Sequence, residues 1–403
     1  MSEKFYKKSV SERREIIKKR FGQEVVDKLN GLSVEKASNI TENVIGVGSL
    51  PIGVVRNLVL NNKKYEAVPM MIEEPSVIAG ANKACKLSLP QGFEAWRIGN
   101  EMIGEISLKV KDSREAKKKL EEADVAINTM GKGAAARLEK YGGGWIGYFV
   151  ENYTTSRGEY VVVKFLVDVG NAMGANAINT IAEGMAPLLE NITDGKAVLR
   201  ILSNFSVYRK VGVRAEFKID EKEREQFLDA FEPSKYDLYR TVTNNKGFMN
   251  GVDAVALATG QDWRAIEAAI NTYAIVNGNK PIAEFYEGEN GVVGYVEVPL
   301  AAGIVGGATK VLPHAQASLE MLEVKKAEEL AMIMAAIGLA NNFAATYALA
   351  TTGIQEGHMK LHSRTLAISL GATEEEADKI VEMAKPPISM TTVKEMLEKI
   401  RKG

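Results

Sequence analysis

The sequence predicts an α+β fold: a large mixed α/β body, a small β-α-β-β-α-β unit inserted into it, and a helical C-terminal appendage. Three observations predict it. From residue 104 to 206 the chain falls into four strand-like and two helical segments in that order. On both sides of this unit, helical and strand-like stretches are mixed. Residues 353–403 carry two capping-box patterns separated by Pro386-Pro387. At 403 residues the chain is also too long for one simple core. The predicted divisions are 1–103, 104–206, 207–352 and 353–403.

Residues 1–45 read as helical and polar. PIGVVRNLVL, the turn NNKK and YEAVPMMI then read as a hairpin over 50–70. EEPS, at 73–76, reads as a helix start with Pro75 in the first turn. EISLKVKD alternates as a strand, and SREAKKKLEEADVAINTMGKGAAARLEKY has helical periodicity. GGGWIGYFVENYT and EYVVVKFLVDV read as strands joined by TSRG. AMGANAINTIAEGMAPLLENI is helical and AVLRILSNF is a strand, which completes a split ferredoxin-like unit. Residues 221–330 mix helices with the glycine-bearing loops NNKGFMNG, ATGQDW and GIVGGATK. Thr373 with Glu376, and Thr392 with Glu395, supply the two capping boxes of the appendage.

Composition excludes several classes. A net charge of -1 leaves no basic excess to hold nucleic acid. The N-terminus MSEKFYKKSVSERREIIKKR has no apolar centre, so a signal peptide is not expected. Cys85 is the only cysteine, so an intrachain disulfide and a cysteine zinc site are impossible, which fits a cytoplasmic protein. Leu330 to Gln355 lacks charged residues and is long enough to span a bilayer. Its alanines, threonines, Asn341 and Asn342 favour a buried core helix over a membrane span.

Several motifs carry chemistry. GKGAAA at 131–136 has the spacing of a dinucleotide loop, but it falls inside a helical run instead of between a strand and a helix. GVGSLPIG at 46–53 lacks a following helix. His358 and His362 are four apart and would share a helical face. Metal binding would want a glutamate beside the first; Lys360 between them opposes a cation, so no metal is expected. A surface pair and a proton-transfer role stay open. Glu42, Glu73, Glu74, Lys246 and Asp262 lie in or beside segments with glycine, proline or asparagine, where backbone can approach a ligand.

Six stretches occur together: ENVIG (42–46), VPMMIEEPSVIAGA (68–81), AMGANAINTIAEG (172–184), NKGFMNGVDAVALATGQDWRAIEA (245–268), VGGATK (305–310) and GIQEGHMKLH (353–362). In type and order they resemble the 3-hydroxy-3-methylglutaryl-coenzyme A (HMG-CoA) reductase family, in its soluble class II form, nearly end to end. The resemblance implies a large substrate domain interrupted by a small ferredoxin-like NAD(P)-binding domain, with a mobile C-terminal helical flap. It implies a homodimer or larger oligomer with the active site at the interface, and neither membrane nor nucleic acid as a partner. The implied reaction uses two hydrides to convert HMG-CoA, through mevaldyl-CoA and mevaldehyde, to mevalonate and free CoA, a step of isoprenoid biosynthesis.

By resemblance, Lys246 stabilises the carbonyl oxygen, Glu74 donates the proton, Asp262 couples the two, and His358 protonates the departing CoA thiolate. A histidine on a closing flap suits that last step, because an unprotonated thiolate re-adds to the aldehyde. His362 is expected to support the helix or orient its neighbour. Ser76, Arg240 and Asn250 match residues that grip the HMG carboxylate and hydroxyl. Met173, Gly174, Ala175 and Asn176 match part of the cofactor loop. Asn171 stands where the family usually has aspartate, and Ala135 where one branch has an acid that selects NADH. With Lys132 and Arg137 nearby, loss of that acid favours NADPH over NADH. A reductase of a different acyl-CoA and an inactive homologue are the competing readings.

Overall fold

The N-terminal region is helical where its caps dictate. In the computed structural model, which describes residues 5–140, 142–351, 363–384 and 388–402, Ser9 and Glu12 form a reciprocal capping box that opens α1 (Val10–Phe21). Short helices α2 (Gln23–Lys28) and α3 (Val34–Ser38) follow.

The hairpin expected over 50–70 is divided between two sheets. Strands β1 (Ile52–Val55), β2 (Val59–Leu60), β3 (Lys63–Lys64) and β4 (Val68–Met71) follow in sequence. Asn61 and Asn62 both take positive φ, 49° and 64°, as a two-residue turn between twisted strands requires, and they join β2 to β3. β1 and β4 pair antiparallel as a separate ribbon. Pro75 lies outside helix α4 (Val77–Leu87), which is capped at Ser76.

Strand β5 (Phe93–Ile98) belongs to the large sheet, and β6 (Glu101–Val110) to the small one. The crossing at Gly99 needs glycine: φ is +71°, and a Cβ there would lie 2.1 Å from the Tyr208 carbonyl oxygen. The chain thus changes sheets a few residues before 104. The long helical run after β6 is two helices, α5 (Ser113–Glu122) and α6 (Asp124–Glu139). GKGAAA lies wholly within α6, so it forms no phosphate-cradling loop. Strands β7 (Gly144–Thr155) and β8 (Gly158–Asp168), helix α7 (Ala175–Thr193) and strand β9 (Lys196–Ser203) complete the unit. Its sheet has the order β7-β8-β6-β9, antiparallel throughout, as the β-α-β-β-α-β reading predicts. Ile106, Leu120, Val163, Phe165, Met185 and Leu189 form its separate core.

The large body resumes with β10 (Lys210–Lys218), α8 (Glu221–Phe231), α9 (Leu238–Ala258) and α10 (Trp263–Val276). Strands β11 (Ala283–Glu287) and β12 (Gly291–Pro299) form a hairpin in a region whose strands the sequence reading did not separate from its glycine loops. The sheet order is β11-β12-β10-β5-β2-β3. Helices α11 (Ala308–Val311) and α12 (Pro313–Leu322) lead to α13 (Ala327–Ala350). α13 is the apolar helix of the sequence reading; 83% of its most apolar window is buried inside the protein. Its Ile337 and Phe343 share the main core with Phe248 and Phe217.

NNKGFMNG is not a loop. It lies inside α9, and its glycines serve close packing: a Cβ on Gly251 would lie 2.5 Å from the Ile337 carbonyl oxygen. At the C-terminal end, residues 363–369 are helical, followed by helices Glu374–Met383 and Met390–Lys402. Ala367, Ala377, Ile380, Val393 and Leu397 give them a core of their own. The Thr373 capping box forms. Thr392 does not begin a helix: Ser389 and Thr392 exchange capping bonds, and the cap falls at Ser389, three residues before the expected one.

Candidate active site

A cleft of about 370 Å³ opens between α4, α9 and α13. Glu74, Ser76, Arg240, Lys246 and Asn250, five of the residues singled out from sequence, line it. Glu74 sits just before α4, while Lys246 and Asn250 share one face of α9, four residues apart. The Lys246 ammonium is directly bonded to a Glu74 carboxylate oxygen. Both ends of the pair reach solvent, with Lys246 57% exposed and Glu74 34%. The pair therefore lies at the open surface of the cleft, where an entering carbonyl could meet a donor cation and a carboxyl group together.

Ser76 holds a strained backbone. Its φ of 73° is left-handed, a conformation that costs a non-glycine residue roughly 1 kcal/mol or more. It occupies the N-cap of α4, yet its hydroxyl makes no capping bond. Strain retained beside an unspent hydroxyl marks a position shaped for binding. Arg240 is half-buried at the cleft rim, where burial lowers its pKa and Asp237 opposes the fall.

Asp262 does not join this group within one chain. It caps α10, its Oδ1 accepting from the Ala265 amide at 3.2 Å and lying 3.4 Å from Arg264. The α9 segment from 246 to 258 is about 18 Å long at about 1.5 Å per residue. The Gln261 amide is bonded to the Ala256 carbonyl, so the Asp262 turn stays at the far end of that helix.

The residues matched to the cofactor loop straddle the start of α7, with Met173 and Gly174 ahead of it and Ala175 and Asn176 in its first turn. Gly174 caps this helix with φ +109°, and a Cβ would lie 2.7 Å from Val169. No side chain caps the helix, so its first-turn amides suit a diphosphate. Asn171 is employed elsewhere: its Oδ1 accepts from Ala327 N at 3.0 Å, at the start of α13. Its side-chain oxygen is thus held by the fold, at the position where the family usually has aspartate. Ala135 is packed inside the small domain. It is 1% exposed and shares the buried stripe of α6 with Ile127 and Gly131, so it presents nothing to a ribose. Lys132 and Arg137 are exposed on the same helix. Gly143, just past α6, packs against Asp168 and Gly170, which brings the Arg137 end of α6 towards the loop.

Other cleft residues escaped the sequence reading. Asn244, Asn341, Asn342 and Thr346 line the cleft and are almost fully buried. Asn342 Nδ2 donates to the Asn244 carbonyl at 2.7 Å, while Asn244 Nδ2, Asn341 Nδ2, Asn342 Oδ1 and Thr346 Oγ1 lack partners. For Asn341, Asn342 and Thr346 the signal in the sequence is a set of polar residues within an otherwise apolar helix. Lys83 also lines the cleft, 4.3 Å over the Tyr347 ring. His314 bonds the Leu257 carbonyl at the end of α9, and burial lowers its pKa against that bond. His358 and His362 lie outside the described residues.

Residues 9–363 match the family model described as hydroxymethylglutaryl-coenzyme A reductase. A 3-hydroxy-3-methylglutaryl-coenzyme A reductase from Archaeoglobus fulgidus is 42% identical over 411 residues, spanning 98% of this chain and 94% of its own. A solved structure of 3-hydroxy-3-methylglutaryl-coenzyme A reductase from Streptococcus pneumoniae is 33% identical. It matches with a TM-score of 0.81 over 98% of this chain and 99% of its own. A structure of the class II enzyme from the same organism, bound to NADPH in open conformations, is 33% identical with a TM-score of 0.80. That match covers 86% of this chain and 98% of the other.

Proposed function

The chain belongs to the hydroxymethylglutaryl-coenzyme A reductase family and is an oxidoreductase of that type, and on this premise we propose how its residues divide the work. The carrying observation is the Glu74–Lys246 pair in a cleft that also holds Ser76, Arg240 and Asn250. The nicotinamide cofactor, when bound, supplies hydride twice, so that the thioester of HMG-CoA passes through mevaldyl-CoA and mevaldehyde to mevalonate. Each addition develops negative charge on the carbonyl oxygen, and the Lys246 ammonium stabilises it. Glu74 delivers the proton that oxygen requires. Arg240 pairs with the substrate carboxylate, and Ser76 and Asn250 bond its hydroxyl and carboxylate. His358 protonates the departing CoA sulfur from the C-terminal flap, residues 353–403.

The dinucleotide is assigned to the 104–206 domain, at Met173, Gly174, Ala175 and Asn176. Arg137 favours NADPH by facing a 2′-phosphate. Residues 1–103 and 207–352 form the substrate domain. The active unit is a homodimer in a cytoplasmic protein. Asp262 stands too far from Lys246 within one chain, so a second copy supplies it. Exposed Tyr236, Tyr239 and Val242, three residues apart around the start of α9, give that copy an apolar surface.

The test is an assay with HMG-CoA that follows cofactor oxidation and free thiol together. Two cofactor molecules oxidised per thiol released, and the reverse reaction from mevalonate and CoA, support the reading. Failure to consume either NADPH or NADH points to an inactive homologue, and cofactor consumption with another acyl-CoA alone points to a different reductase.

A further inference from the structure

We propose that Arg209 is a positioning residue that holds the 171–174 loop in the form that receives the dinucleotide, and that ties this loop to the Asp262 turn. The inference rests on the reading of residues 173–176 as the cofactor site. Arg209 lies between β9 and β10 and is 4% exposed. Its Nη1 donates to the carbonyls of Ala172 at 3.0 Å and Met173 at 3.2 Å. Its Nη2 donates to the Ala302 carbonyl at 2.7 Å. One guanidinium therefore spans three backbone acceptors from two separate loops, a task suited to its rigid planar fork.

The two loops meet around this residue. Ile304 N donates to the Asn171 carbonyl at 3.0 Å, and Leu300 N to that of Arg209 at 3.0 Å. Gly303 touches Met173 so closely that a Cβ would lie 2.6 Å from its amide nitrogen. The Gly303 amide in turn donates to Gln261 Oε1 at 2.8 Å, and Gln261 Nε2 to the Thr259 carbonyl at 2.9 Å. Gln261 immediately precedes Asp262. A short series of contacts thus links the start of α7 to the turn that carries a proposed active-site carboxylate.

Stability alone does not account for the charge. A buried cation costs desolvation, and an apolar side chain of similar volume often serves a core as well or better. Burial pulls the Arg209 guanidinium down to about 10, with Asp168 opposing the fall and Arg97 adding to it, so the charge persists at neutral pH. What an apolar replacement cannot do is fix the Ala172 and Met173 carbonyls, and with them the backbone entering α7, whose amides are uncapped.

The experiment compares full-length wild type, Arg209→Met and Arg209→Lys. NADPH binding is followed by fluorescence titration without substrate, and KM for NADPH, KM for HMG-CoA and kcat are then measured. Losing charged hydrogen bonds to the loop should raise the NADPH Kd and KM about tenfold or more in Arg209→Met. The KM for HMG-CoA should stay within roughly twofold, because the substrate cleft makes none of these bonds. Arg209→Lys should fall between, and carries the test if Arg209→Met does not fold. An unchanged NADPH Kd in the folded variant, or equal rises in both KM values, overturns the positioning role. A wild type that binds NADPH but does not reduce HMG-CoA defeats the functional reading while the binding comparison still decides the role of Arg209.

Discussion

Lys246 and Glu74, 172 residues apart in sequence, are bonded to each other across the mouth of one cleft. One comes from the middle of a helix and the other from the turn before a different helix. Their contact places a cation and a carboxyl group at the same point, as reduction of a carbonyl requires.

Lys246→Ala should therefore abolish reduction of HMG-CoA and of added mevaldehyde while the protein stays folded. Loss of one such contact commonly lowers kcat about a hundredfold or more. Near-normal turnover by a variant with the wild-type melting curve would remove Lys246 from the mechanism.

Asp262→Ala and Lys246→Ala, each inactive alone, should complement when unfolded together and refolded as a mixture. If Asp262 and Lys246 of one site come from different copies, random mixed dimers restore about a quarter of the wild-type sites. No recovery in a mixture shown to contain mixed dimers would place both residues on one chain or exclude one of them.

Ser76→Gly should trade binding for stability. Removing the side chain relieves a left-handed φ of 73° and should raise unfolding free energy by about 1 kcal/mol. It also deletes the hydroxyl assigned to the substrate, so KM for HMG-CoA should rise. Urea denaturation and steady-state kinetics check the two arms; a less stable Ser76→Gly contradicts the strain.

Arg137→Glu should lower kcat/KM with NADPH about tenfold or more, with a smaller change for NADH, since it places like charge by the 2′-phosphate. Ala135→Asp should not switch the cofactor. It sets a carboxylate in the α6 core and should instead cost more than about 2 kcal/mol of stability. Equal loss with both cofactors in Arg137→Glu would sink the selectivity role.

Asp253 on α9 has its carboxyl pushed up to about 8, by burial first and by Glu267 second. Its pKa is raised on folding, so the stability it contributes is fully present below the ordinary value of 3.8 and is lost as pH rises through about 8. Wild type should accordingly lose stability relative to Asp253→Asn between about pH 4 and 8. Denaturant midpoints of the two proteins that run parallel across that range would rule this out.

Much of the fold was legible because it is written in local periods. The alternation of EISLKVKD and EYVVVKFLVDV and the helical spacing between them set the β-α-β-β-α-β order, since side-chain period alone distinguishes strand from helix. Thr373 with Glu376 marked a helix start because a cap bonds to its own first turn. The candidate residues Glu74, Ser76, Arg240, Lys246 and Asn250 were likewise legible as types in motifs. Their meeting was not: which turn faces which helix depends on how α4, α9 and α13 pack, and no local pattern encodes that. Packing also decided the errors. NNKGFMNG reads as a loop until Gly251 is seen pressed against the Ile337 carbonyl, where only a glycine lets two helices come so close. The burial of Ala135 is likewise decided only when α6 settles one stripe onto the small core. That Asn171 accepts from the first amide of α13 is equally invisible until the two segments are packed together. The sequence determined the elements, their order and the chemistry available; tertiary packing alone decided which groups share a site and which are spent holding the fold, because contacts between distant segments follow from shape and burial.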